Sequence, residues 1–295
     1  MDMGMEFSFG SFVDGSFDYD SATKTHSCIW LHEEKMDIGG GRISVSNVDK
    51  LKDYPDEDVV TISGLRQDTF EYFIKTYGKQ LRGIRFFKNK FIEDLSLLST
   101  MPQLEYVSFF ANQRVTALWD MTENESLTGL CIEDFSRLSS IKGIERAPIL
   151  KEFRIGNAIW SKMVVDSLMP LANTGVERLT FTGRAIADND LSFLEQLPHL
   201  KVFDFAANLF TTEQVAWIVA NFPQVEGFAL KPKYDCELLE SNENPVDVPG
   251  VIIVGKRKPA LRVKGNEAKI EEYVQDFETL KKKYKGVPYR YAFLP

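Results

Sequence analysis

Between residues 59 and 230 one arrangement of apolar and variable positions recurs: apolar, two variable, apolar, one variable, apolar. It reads Leu81-Ile84-Phe86, Leu104-Val107-Phe109, Leu127-Leu130-Ile132, Leu150-Phe153-Ile155, Val176-Leu179-Phe181, Leu200-Phe203-Phe205 and Val225-Phe228-Leu230, with a weaker first copy at Val59-Ile62-Gly64. The first positions lie 22 to 26 residues apart. Each copy predicts a short strand whose apolar side chains point inward, followed by a turn and a return segment. One such unit cannot bury its own apolar face, whereas stacked units bury a continuous core beneath a parallel sheet. The segments Asp68 to Tyr77 and Thr212 to Asn221 read as longer helices on the return path, the second opened by Thr212-Glu213-Gln214.

Further positions keep the same period. Asn89, Asn112 and Asn208 stand eight residues after the first apolar position, where a short amide can satisfy backbone groups as the chain leaves its strand. The other copies carry Gln67, Phe135, Ala158, Arg184 or Lys233 there, so the middle turns are expected to be irregular. Phe91 to Leu98 and Ala187 to Leu194 have the composition of short convex segments, each followed by a proline (Pro102, Pro198) two residues before the next strand position. With these features the sequence resembles bacterial leucine-rich repeat proteins of the internalin type over about 175 of its 295 residues. The resemblance implies an α/β solenoid: a curved parallel sheet with a helical or 3-10 convex side. It also implies binding of other proteins on the concave strand face. Internalins are exported and wall-anchored; no such signals are read in this sequence, so a surface-adhesion role is not expected.

A solenoid needs its ends covered. Residues 1–56 are expected to form a β-rich N-terminal cap, 57–232 about eight repeats, and 233–295 a C-terminal cap. In the first cap Phe7, Phe9, Phe12 and Phe17 surround Asp14-Gly15, read as a hairpin turn, and Ile29-Trp30-Leu31 and Ile43 to Val45 read as strands. Gly39-Gly40-Gly41 lacks the lysine and hydroxyl context of a phosphate loop and reads as a turn. In the last cap Val251 to Val254 and Leu261 to Val263 read as strands. A helix from Glu267 to Lys285 carries apolar residues at helical spacing and ends in Lys281, Lys282, Lys283 and Lys285. Residues 251–295 hold 11 basic and 5 acidic residues. Binding of an anion or nucleic acid by this basic helix is the less favoured reading; a solvated helix end accounts for it.

Composition narrows the function classes. A hydrophobic fraction of 44% with 19 Gly and 12 Pro in 295 residues excludes disordered and collagen-like classes. A net charge of −8 disfavours nucleic acid as the main partner. No apolar run approaches a membrane span, and Asp2, Glu6 and Asp14 without a basic residue are unlike a signal peptide. Three cysteines fit the reducing cytoplasm. His26, Cys28 and His32 match no common zinc spacing, so no metal is expected. Cys131 beside Glu133 and Asp134, and Cys236 beside Asp235 and Glu237, sit in acidic surroundings that oppose a thiolate nucleophile. No catalytic residue, cofactor or small-molecule substrate is assigned.

Strand alternation then selects the concave side chains. The central column is expected to be Ser63, Arg85, Ser108, Cys131, Arg154, Thr180, Asp204 and Ala229, flanked by columns that include Thr61, Gly83, Tyr106, Gly129, Glu152 and Arg178 on one side and Leu65, Phe87, Phe110 and Glu133 on the other. Arg85, Phe87, Tyr106 and Phe110 make an aromatic and arginine patch of the type enriched at binding hot spots. Glu133, Glu152, Arg154, Arg178 and Asp204 make a mixed-charge patch suited to setting partner choice. The expectation is a non-enzymatic cytoplasmic module that binds a partner protein through this face. Variants of that reading are an immunity-type binder that neutralises a toxin, and a host-delivered effector using the same face. Cover of the aromatic patch by the N-terminal segment is the competing expectation.

Overall fold

In the computed structural model the chain divides into two compact units, Met1–Glu177 with Thr182–His199 and Arg178–Phe181 with Leu200–Pro295. The structure describes residues 8–15, 19–20, 25–26, 28–33, 41–159, 163–239 and 247–293. The chain opens with helix α1 (Phe9–Asp14), followed by a short antiparallel pair, β1 (Tyr19–Asp20) with β2 (Thr25–His26), and then β3 (Ile29–Leu31), helix α2 (Val45–Val48) and β4 (Val59–Ser63). After helix α3 (Gln67–Tyr77) come β5 (Gly83–Phe87), β6 (Tyr106–Asn112), β7 (Gly129–Phe135), β8 (Glu152–Gly156), β9 (Val164–Val165), β10 (Arg178–Thr182), β11 (Ala185–Ile186) and β12 (Val202–Phe205). The fold is mixed α/β, with eight strands in parallel arrangement: β8-β7-β6-β5-β4-β3 in that order in the first unit, and β10 beside β12 in the second.

The registers in the first unit advance by one sequence period per strand. Arg85 pairs with Ser108, Ser108 with Cys131, and Cys131 with Arg154. That alignment follows from the apolar positions. Ile84, Val107, Leu130 and Phe153 form one buried row and Phe86, Phe109, Ile132 and Ile155 another, all at most 2% exposed. A slip of one residue would turn both rows to solvent. Phe86 and Phe109 stack at 4.7 Å between centroids, and Phe109 meets Phe135 edge-on at 5.6 Å.

The turns at the strand exits rest on polar residues. Asn89 donates to the Ile62 carbonyl (2.8 Å) and accepts from the Leu65 amide (2.7 Å). Asn112 donates to the carbonyls of Asn89 and Ile92 and accepts from the amides of Arg114 and Val115. In the next unit Asp134 takes over, accepting from the amides of Ala158 and Ile159, while Asn208 is exposed. Gly64, Lys88, Ala111 and Asp134 leave their strands in the left-handed region, with φ between 55° and 78°. Three of these four carry a side chain there, which the hydrogen-bonded turns hold in place.

The structure differs from the sequence expectations at four places. Asp14-Gly15 is not a hairpin turn: Ser8 and Ser11 form a capping box and Gly15 (φ 73°) closes α1 as a left-handed C-cap, a role Asp-Gly fills as readily. Val45 starts a helix, because Ser44 accepts from the Asn47 amide as its N-cap. Thr61, not Ser63, pairs with Arg85, so the first repeat lies two residues earlier than its apolar pattern implied. That shift keeps every side chain on its expected face. Finally, Val225 to Leu230 forms only one bridge, Glu226 to Val202, with Phe228 52% exposed and Ala229 buried. The eighth strand is instead Ile29–Leu31 of β3, in register with Val60, Thr61 and Ile62.

The long interval between Leu150 and Val176 holds β9, which pairs in parallel with β11. In the second unit β10 and β12 pair in parallel, and Phe205 packs on Phe203 and Phe210 at 4.8 Å each. Helix α4 (Thr212–Asn221) follows, then an antiparallel sheet of β13 (Lys233–Leu239), β14 (Asp247–Ile253) and β15 (Ala260–Arg262). Ile270 of helix α5 (Glu267–Tyr284) packs on Val251 and Ile253. Helix α6 (Tyr289–Phe293) returns to α4, where Gln214 donates to the Tyr289 hydroxyl and Trp217 to the Val287 carbonyl. At the basic end of α5, Lys281 pairs with Glu278 at 3.3 Å and Lys283 lies 4.9 Å from the Tyr284 ring centre.

Candidate functional site

The strand face opposite the apolar rows, within the first unit, is divided into a covered part and an open part. The covered part lies under α1. Gly83, Tyr106 and Gly129 pair in one column across β5, β6 and β7. The helix sets Phe12 over Gly83 and Phe9 over Gly129, with Tyr106 at 5.5 and 5.7 Å from the two rings. A Cβ at Gly129 would lie 2.7 Å from Phe9 Cγ and Cε2, and one at Gly83 3.0 Å from Phe12 Cε2. The two glycines therefore make the seats that the rings fill. Phe9, Phe12, Cys28, Val59 and Cys131 form one buried cluster.

This cover changes the expected site. Tyr106 belongs to the seat of α1, and burial pushes its hydroxyl pKa up. Cys131 is wholly buried, and burial, then the Glu133 charge, pushes its thiol pKa far above the usual range. It stays a protonated apolar group there. The alternation expected for the concave column holds, but the helix removes Cys131 from solvent, while Ser108, 8% exposed, lines the cavity beside it.

The open part begins where α1 ends. Phe87 and Phe110 stack at 5.2 Å with 22° between planes, and Trp30 of β3 follows at 6.5 Å from Phe87. Phe87 and Phe110 are half-buried, and Trp30 is 36% exposed. Arg85 lies 5.7 Å from the Trp30 ring centre and donates to the Val13 carbonyl at 3.4 Å and to Thr61 Oγ1 at 3.5 Å. Lys88 Nζ stands 5.0 Å from the Phe87 ring centre. A cavity of about 210 Å³ opens among Val13, Arg85, Phe87, Phe110, Glu133 and Ala158.

Charge at this cavity is held by one close pair. Arg154 Nε donates to Glu133 Oε1 at 2.7 Å, and Arg154 Nη1 lies 3.8 Å from Asp14 of α1. Glu133 is only 8% exposed; burial pushes its carboxyl pKa up and Arg154 acts against that shift. Glu152 is half-buried on β8. Arg178 on β10 and Asp204 on β12 belong to the second unit, where Asp204 accepts from the Phe228 amide at 3.0 Å.

Trp30, Val13 and Asp14 were not among the expected site residues. The signal for Trp30 was present: it stands between Ile29 and Leu31 in a three-residue apolar run, where alternation turns it to the opposite face. Among the described residues no group of three or more His, Cys, Asp or Glu is placed to hold a metal ion, and the side chain of His26 lies outside the described set. Among the same residues no helix is long and apolar enough to cross a membrane. A scan of protein-family models finds none that matches the sequence, and a search of curated proteins finds no significant match.

Proposed function

We propose that this chain is a leucine-rich repeat solenoid acting in the cytoplasm as a non-enzymatic module, and that it binds a partner protein on the strand face carrying Arg85, Phe87, Phe110 and Trp30. The observation that carries the reading is the row Trp30, Phe87 and Phe110, half-open beside a cavity that also presents Arg85 and the Glu133–Arg154 pair. Large aromatic side chains on a rigid sheet bring much contact area at little ordering cost, and aromatic residues with arginine dominate binding energy at interfaces. The solenoid part of the reading draws support from parallel registers that repeat at the sequence period and from the recurring Asn89 and Asn112 turns. The cytoplasmic part draws on the sparse cysteine content.

Affinity capture with the full chain, comparing wild type with Phe87→Ala/Phe110→Ala, tests the reading. Both rings are half-open, so the double variant keeps its fold, checked by circular dichroism. A protein retained by wild type and lost from the variant is the expected result. Equal retention by both rejects this face as the binding surface.

A further inference from the structure

Helix α1 has features of a bound ligand. It holds six residues, too few for a stable isolated helix in water, so its conformation depends on docking and on its caps. Phe9 and Phe12, three residues apart, share one face of the helix and seat over the two glycines that flank Tyr106. Two of its polar ties are long: 3.8 Å from Asp14 to Arg154 and 3.4 Å from Arg85 to the Val13 carbonyl. Two rings in two seats anchor it on the sheet, with Asp14 directed to a cation. The covered column is also continuous with the open aromatic row, because Val13 lines the same cavity as Phe87 and Phe110.

We infer that the Gly83–Tyr106–Gly129 groove is a receptor for a short helical segment of the partner protein with the pattern Phe-x-x-Phe-x-Asp, and that α1 is the chain's own competitor for it. The inference rests on the reading of this face as a partner-binding surface, and it names what the partner brings. The occupant chemistry is read from the groove: two aromatic rings three residues apart, one at Gly129, where a Cβ would exclude it, and one at Gly83, where a Cβ would crowd it, and an acidic group two residues later, which meets Arg154. A partner seated on the open row reaches α1 at Val13. Displacing the helix exchanges one aromatic pair for another and extends the contact along the sheet. A tethered segment acts at an effective concentration of about 1 mM, so a free segment with a dissociation constant of about 100 µM binds the intact chain roughly tenfold more weakly than a chain whose own helix is disarmed.

The probe is a fluorescent peptide of residues 8–15, acetylated and amidated, titrated by fluorescence polarisation against the full chain. The expected result is binding to the Phe9→Ala/Phe12→Ala chain, about tenfold weaker binding to wild type, and none by a peptide with both phenylalanines replaced by alanine. Absence of binding to the folded double variant overturns the inference, as does equal binding to both chains. Should the double variant not fold, Phe9→Ala alone, which keeps the Phe12 ring, serves in its place under the same criteria. In capture, the disarmed chain is expected to retain the Phe87- and Phe110-dependent partner at least threefold better than wild type; equal retention overturns the partner assignment. A wild-type dimer in sedimentation that the double variant loses makes a second copy of this chain the occupant and likewise overturns it. If capture depends on Phe87 and Phe110 but the peptide does not bind, the inference fails while the binding face stands. Peptide binding without that dependence has the opposite meaning for the face.

Discussion

Replacing Gly129 with alanine isolates the seat of Phe9. Gly129 lies inside β7 in an ordinary extended conformation, so alanine meets no backbone penalty there, and removing a strand glycine favours folding by about 0.5–1 kcal/mol. Against this, the new Cβ would stand 2.7 Å from two Phe9 ring atoms, so the ring must leave. Phe9 is 5% exposed when docked, and returning such a ring to water costs about 1.5–3 kcal/mol. The strand gain acts on global unfolding and is the same whether α1 is docked or lifted, so the ring's loss falls on α1 alone and favours its opening by at least about 1.5 kcal/mol. The readout is local, because Cys131 lies on the same face two residues along and is fully buried in the same cluster. Its thiol reacts with iodoacetamide only after α1 lifts. A shift of about 1.4 kcal/mol in that opening is a tenfold change in rate. Peptide mapping by mass spectrometry is expected to show Cys131 alkylated about tenfold faster in Gly129→Ala than in wild type. The half-buried Cys236 serves as an internal reference with an unchanged rate. Gly10→Ala, whose added Cβ has nothing within 4 Å, is the control: inside α1 it favours the helix by about 0.5–1 kcal/mol, so Cys131 is expected to react no faster than in wild type. A folded Gly129→Ala protein with Cys131 as protected as in wild type refutes the account of the seat.

Other outcomes follow from the same structure. Asn112→Ala removes four hydrogen bonds at one strand exit, three of them buried, and is expected to cost about 3 kcal/mol in urea unfolding; a loss below about 1 kcal/mol contradicts the turn's role. Asp49 accepts from the hydroxyls of Tyr77 and Tyr72 and pairs with Lys52, which lowers its pKa from 3.8 to about 2. A lowered carboxyl pKa stabilises the fold above its unfolded value, and that contribution disappears as pH falls through about 2. Wild type should therefore melt above Asp49→Asn at pH 6, with the gap closing between about pH 4 and pH 2; a gap independent of pH contradicts the assignment. Arg257, exposed with φ 63°, sits where glycine is preferred, so Arg257→Gly is expected to stabilise the chain by about 1 kcal/mol in denaturant titration. A loss of stability on that change would contradict the backbone argument.

Much of the fold was legible because a parallel strand in a stack is marked by a rigid period. Leu81-Ile84-Phe86 and its successors set both which residues pair and which row is buried, and six strands, β5 to β8 with β10 and β12, follow from that signal alone. The elements that escaped it lack a neighbour of the same kind in sequence. The three residues of β3 carry no full copy of the pattern, and their place beside β4 is set by Leu31 finding cover, not by spacing. At the other end Phe228 keeps the apolar spacing but lies outside a strand, its ring tilted against Tyr234 at 4.3 Å. In the first repeat the apolar run Val59 to Ile62 fits the pattern at two offsets, and only pairing with Gly83 to Phe87 selects between them.

The candidate site was half legible for a related reason. Alternation told which side chains leave the core, and Phe87 and Phe110 stand beside each other as expected. It contains no term for what covers them. Phe9 and Phe12 read equally as strand or helix residues in a segment of serines and glycines, and the decision rests on the Ser8–Ser11 capping box and on the absent side chains of Gly83 and Gly129. The glycines were legible as members of a strand-face column. That a column of small residues marks a seat for aromatic rings becomes visible only with the helix in place.

Photo-cross-linking tests the central claim most directly. A benzoylphenylalanine at position 110 on the strand face, and separately at position 97 on the return segment, is carried by the full chain in lysate, and adducts are identified by mass spectrometry. The account predicts one defined protein adduct from position 110, absent at position 97, and suppressed by an excess of unlabelled wild-type chain. The same adduct from position 97 alone, with none from position 110, would contradict it.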